Sequence, residues 1–172
     1  MRIKLSLCLC LCFLIAHPLY AEATQKKIAV REEGETVLTA IAGKAKIRVV
    51  FKTRKVQKGI NEKWDKKLSF VPSTCTFASW CSLVDKIDIT VNDKEVFVPH
   101  SLISDLAILN NVELKIDGDK MYLLIESGDA SESCFIRIDF NREHVQRMSI
   151  FADDTMKADR LLSETVYHLV VD

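Results

Sequence analysis

Two stretches set the fold class before anything else: "KIDITVNDKEVFVP" (residues 86–99) and "VELKIDGDKMYLLI" (112–125). In each, apolar and polar residues alternate with a period of two on both sides of a short polar turn, which is the pattern of a half-buried hairpin. Asn92-Asp93 in the first and Asp117-Gly118 in the second are residue types that accept the positive φ tight hairpins require. A helix-forming sequence would repeat its apolar positions every three or four residues instead.

The same period recurs along the chain. In "AKIRVVFKTR" (45–54), Ala45, Ile47, Val49 and Phe51 share one face and Lys46, Arg48, Lys52 and Arg54 the other, with Val50 the exception. "CFIRIDF" (134–140), "VQRMSIF" (145–151) and the terminal "TVYHLVV" (165–171) add further strands. One short helix is expected in "PHSLISDLAILN", where Ser101 can cap the N-terminus and Leu102, Ile103, Leu106 and Leu109 form a stripe. Polar residues 55–67, with Trp64 as the one large anchor, read as a solvated loop, as does the acidic run 152–164. About eight strands and a single helix predict one antiparallel β-sandwich or small barrel.

The first 21 residues stand apart. A short basic start (Arg2, Lys4), the apolar run "LSLCLCLCFLIA" and a small-residue exit at Ala21 or Ala23 have the layout of a cleaved secretory signal. The run falls short of the ~20 residues of a spanning helix. Cys8, Cys10 and Cys12 each follow a leucine, whereas a lipoprotein site needs a small residue there. The expectation is therefore a signal over 1–21 and one β-rich, soluble domain over 22–172. No asparagine begins an N-x-Ser/Thr acceptor, which favours a bacterial periplasm over a eukaryotic secretory route.

Charge divides along the chain. Residues 26–67 carry 13 Lys/Arg against 5 Asp/Glu, and residues 68–172 carry 9 against 18. Such blocks either neutralise each other across one fold or leave a basic face for an acidic partner such as an anionic envelope polymer. Arg48, Lys52, Arg54 and Trp64 are the residues of that second reading. Aromatic platforms are too sparse there for nucleic acid.

Beyond the signal there are three cysteines, Cys75, Cys81 and Cys134. The first two bracket five residues and are expected to pair, which an oxidising compartment permits. Cys134 shares a strand face with Ile136, Ile138 and Phe140, so it reads as a buried free thiol, small and unreactive. No residue spacing implies a zinc or calcium site or a cofactor.

Catalysis finds little purchase. Asp129, Glu132 and Asp139 allow a carboxylate-dependent hydrolase if two of them converge. The run from Gly128 to Ser133 reads first as a turn whose Asp and Ser side chains cap backbone amides. Ser127-Gly128, then Ser131, then Phe135 resembles the S-G-x-S-x-x-x-Y loop of the periplasmic inhibitors of invertebrate-type lysozyme, small exported β-sandwich proteins. The resemblance spans nine residues, with Ser131 one place late behind Ala130 and Phe135 in the tyrosine's place. It implies that such a turn can plug an enzyme cleft. The expected function is thus non-catalytic binding, as an inhibitor or immunity-type protein, through Gly128, Asp129, Ser131 and Glu132. The alternatives are the hydrolase and a structural envelope component.

Overall fold

The computed structural model describes residues 23–24, 26–58, 75, 79–104, 106–118, 120–128 and 133–169. The expected signal segment, Trp64, Asp129, Ser131 and Glu132 lie outside these residues.

Alternation translates directly into two antiparallel sheets. The first sheet is a meander of β3 (Gly34–Ala42), β4 (Ala45–Gln57), β5 (Trp80–Val91) and β6 (Lys94–Val96), in that spatial order. The second orders β7 (Leu109–Asp117), β8 (Lys120–Ser127), β9 (Cys134–Phe140), β10 (Val145–Phe151) and β11 (Leu161–Val166). Two short N-terminal pieces, β1 (Ala23–Thr24) and β2 (Ile28–Ala29), pair with the outer edge of β7. The chain is mostly β, as its alternation predicts.

Inward side chains of both sheets meet in one core. Leu38, Ile47, Val49, Phe51, Ile87, Ile89 and Val91 come from the first sheet. Val112, Leu114, Ile116, Leu123, Ile125, Ile136, Ile138 and Phe140 come from the second. Both sheets keep open edges, so the sandwich alternative holds and the barrel does not among the described residues. On one side the layers are tied by a parallel bridge: Phe97 N–H donates to Glu143 O at 2.8 Å and Val145 N–H to Phe97 O at 2.9 Å.

Several local expectations shift in detail. Asn92 and Asp93 both take positive φ, 52° and 61°, and turn the chain between Val91 and Lys94. In the second hairpin Asp117 stays in the ladder opposite Lys120, and Gly118, at φ 60°, takes the turn conformation one residue later than the Asp-Gly reading. The helix α1 spans only His100–Ser104. Leu106 and Leu109 are buried as the stripe requires, but outside the helix: the chain leaves α1 to pair with β5 at 106–108 and then enters β7 at Leu109. Strand β4 extends three residues into the expected loop, to Gln57, and Leu161–Val166 within and beyond the acidic run forms β11.

Candidate functional site

The turn expected to carry recognition connects β8 and β9, and its base is built by segment 106–108. Leaving α1, this segment pairs with β5: Val84 N–H donates to Leu106 O at 3.4 Å and Ile108 N–H to Ser82 O at 2.8 Å. Leu83 and Ala107 face each other between those bonds, which turns the amide and carbonyl of Ala107 away from β5. They turn toward the end of β8. There Ser127, 2 % exposed, donates its Oγ hydrogen to Ala107 O at 2.7 Å.

Gly128 completes the clamp. Its φ of 93° suits glycine, its N–H donates to Ile108 O at 3.0 Å, and its carbonyl accepts from Asn110 Nδ2 at 2.7 Å. Ile108 itself sits at φ 47°, a conformation that costs a β-branched residue on the order of 1–3 kcal/mol. The hydrogen bonds on both sides of Ile108 hold that conformation in place. Opposite Ser127 in the ladder lies Cys134, where the turn re-enters the sheet.

A second cluster of buried side chains braces the same segment from the β5 side. It comprises Cys75, Cys81, Leu83 and Ala107, with Val56 and Ile108 packed against it. Cys75 and Cys81 stand at disulfide distance, their Cα atoms 5.5 Å apart, as their spacing predicts. Cys134 is half-buried against the main core rather than fully enclosed. Burial raises its thiol pKa, with a smaller opposing influence from the neighbouring Ser127 side chain, whose hydroxyl hydrogen is engaged by Ala107 O. A thiol so placed is protonated near neutrality and a weak nucleophile.

The other expected surface has a different character. Arg48 and Lys52 lie on the outer face of the first sheet, as the alternation requires, and Arg54 is also exposed. Lys52 Nζ pairs with Glu35 at 3.1 Å and Arg54 Nε with Asp85 at 2.6 Å. Lys55 pairs with Glu32 and lies 4.0 Å from the centroid of the Trp80 ring. Arg48 alone of the three lacks an ion-pair partner among the described residues, and it opens onto a broad groove whose lining includes Asp85, Asp88, Glu95 and Glu143. The stripe is basic in sequence, but acids from β3, β5 and the preceding turn leave it little excess charge. Cross-pairing between the two charge blocks also occurs at Lys46–Asp93 and Lys27–Glu126.

Of the three carboxylates that a hydrolase would use, only Asp139 lies within the described residues. It is on the outer face of the second sheet, where Arg137 Nη2 (2.7 Å) and Arg147 Nε (3.2 Å) both donate to it. Arg137 in turn stacks at 4.0 Å on Tyr122. Two guanidinium partners occupy its acceptor sites, which suits a surface brace. No group of three or more potential metal ligands occurs among the described residues, and no helix there is long and apolar enough to cross a membrane.

Ile108 and Asn110 are supports of this turn that the sequence reading did not single out, and Ser127 entered it only as the first residue of the resemblance. Asn110 in "LNN" is a turn-type signal open to notice; nothing about an isoleucine advertises a positive φ. No protein-family model, curated protein or solved structure matches this chain.

Proposed function

We propose that this chain is an exported β-sandwich that acts by binding, and that residues 128–133 are its recognition element, aimed at a protein partner such as an envelope-acting enzyme. One observation carries the reading: the base of this turn is fixed at Ser127, Gly128 and Cys134, by bonds that reach segment 106–110 and through it β5 of the other sheet. A short loop held at both ends on a rigid frame loses little conformational freedom on binding. That is the physical requirement for a protruding inhibitory turn. Asp129 and Glu132 give it negative charge, which suits a cationic cleft. Export rests on the signal-like residues 1–21, and β1 begins at Ala23, so cleavage after Ala21 keeps the first strand whole while cleavage after Ala23 trims it.

The test is a pull-down from a native bacterial envelope fraction with three baits: the wild type, a chain with residues 129–132 replaced by a neutral Gly/Ser turn, and the Arg48/Lys52/Arg54 charge reversal. A partner lost only with the turn replacement supports the reading. Capture that survives it, or is lost only with the charge reversal, refutes the assignment to this turn. In that case the outer face of the first sheet becomes the surface to pursue.

A further inference from the structure

The cluster of Cys75, Cys81, Leu83 and Ala107 is separate from the main core, and the ladder register explains why. Between Lys86, opposite Lys52, and Val84, opposite Thr53, the β4–β5 pairing slips past Asp85. Beyond that slip Cys81 and Leu83, two residues apart, point to the face away from Val84, Ile87 and Ile89. Cys81 and Leu83 are held in this small cluster by β5, and Ala107 by its bridge to Leu83. Cys75 lies in no strand, and its link to the cluster is the bond to Cys81. The disulfide therefore fixes one wall of the cluster.

That wall bears on Ile108. Its φ of 47° is unfavourable for a β-branched residue, and three contacts oppose its relaxation. Its N–H donates to Ser82 O at 2.8 Å, its carbonyl accepts from Gly128 N–H at 3.0 Å, and its side chain packs against the cysteine cluster. The third contact is the one the disulfide controls, and it is the link between the sulfur atoms and the base of the 128–133 turn.

We propose that oxidation of Cys75 and Cys81 is a maturation step that locks the base of this turn. With both thiols reduced the two sheets are formed, because the main core contains neither cysteine, but Ile108 and Gly128 open locally. With the bond made they are held. The reaction is two successive thiol–disulfide exchanges with a disulfide oxidant: the oxidant's S–S bond breaks, the Cys75–Cys81 bond forms, and the oxidant leaves as two thiols carrying the two electrons and two protons. Both cysteines are 0 % exposed once joined, so an outside thiolate has no access to the bond and the step is one-way in the folded protein. The consequence for binding rests on the reading of residues 128–133 as the recognition element: the turn becomes competent only in an oxidising compartment, after export.

Backbone amide hydrogen exchange, read residue by residue by NMR, tests the proposal on three samples: the oxidised chain, the chain kept reduced by a dithiol, and the Cys75→Ala/Cys81→Ala variant. The amides of Ile108 and Gly128 report on the base of the turn, and those of Leu123 and Ile138, in the interior strands β8 and β9, report on the main core. Exchange at Ile108 and Gly128 is expected to be faster by about tenfold or more in both bond-free samples, with Leu123 and Ile138 changed by less than about threefold. Equal exchange at Ile108 and Gly128 in all three samples overturns the proposal, since the base then holds without the bond. Acceleration of all four amides together, or outright unfolding, overturns it by making the bond a support of the whole fold. Neither result bears on the turn as recognition element, which stands or falls on capture by the bait with residues 129–132 replaced.

Discussion

Replacing Ser127 with alanine removes one oxygen atom from a site 2 % exposed, and the structure sets the size of the effect. Ser127 Oγ is the hydrogen-bond partner of Ala107 O, and Ala107 is itself 2 % exposed. The Leu83–Ala107 bridge points that carbonyl away from β5, so no neighbouring strand can take over. The variant thus loses a hydrogen bond and strands a buried acceptor, a loss of about 1–3 kcal/mol. Alanine leaves no steric conflict, so the cost is one of desolvation alone. Urea unfolding followed by tryptophan fluorescence is the assay, with exposed Ser133→Ala, expected to change stability by less than about 0.5 kcal/mol, as control. The midpoint should fall with the slope unchanged. If Ser127→Ala is as stable as the Ser133 control, the clamp beneath the turn is not made as described.

Three further outcomes are expected. Under denaturing conditions the unreduced chain should titrate two fewer thiols than the reduced chain, and equal counts would remove the Cys75–Cys81 bond. Reversing charge at Arg48, Lys52 and Arg54 should leave cooperative unfolding intact, because the pairs broken are solvent-exposed and worth roughly 0–1 kcal/mol each; loss of the transition would mean that these side chains support the fold. Glu126 has its pKa lowered from 4.5, first by the hydrogen bond from Lys27, with a further contribution from Asn111. A depressed carboxylate adds stability that is present above its unfolded pKa and lost as pH falls through the folded one. Lys27→Ala should therefore lower the urea midpoint at pH 7 and converge with the wild type as the solution is acidified below about pH 4. A gap that persists at low pH would show that Lys27 acts through something other than Glu126.

The faces of the strands were legible because burial on one side enforces a strict period of two: Ile47, Val49 and Phe51, then Ile87, Ile89 and Val91, then Ile136, Ile138 and Phe140 all point inward. Turn chemistry placed two hairpins to within a residue. Strand β3 escaped notice because its outward positions are Val37, Thr39 and Ile41, with Val37 and Ile41 exposed, so "GETVLTAIA" has no polar alternation to show. The helix stripe reads too long because Leu106 and Leu109 satisfy a helical spacing while their burial comes from the pairing of 106–108 with β5 and from the start of β7. Pairing of acids to the basic strand was invisible for a further reason: Glu35, Asp85 and Glu32 approach Lys52, Arg54 and Lys55 only through sheet register and the irregularity beside Lys52/Thr53. The candidate turn was placed by its residue types, but its supports at Ala107, Ile108 and Asn110 are about 20 residues away in sequence.

The order in which the chain becomes available follows from where β1 and β2 sit. From Gly34 to Val96, and again from Leu109 to Val166, each strand pairs with the one just made, so each meander can grow as its residues arrive. Ala23, Thr24, Ile28 and Ala29 do not share that privilege. Their partners are Ile116, Lys115, Val112 and Asn111. The first strand pieces to emerge, at a ribosome or at a translocation pore, must therefore wait for some ninety later residues before their backbone amides are satisfied, and long closures of this kind are slow. For that interval Ala23, Thr24, Ile28 and Ala29 lack their strand partner, and only the completion of β7 supplies it.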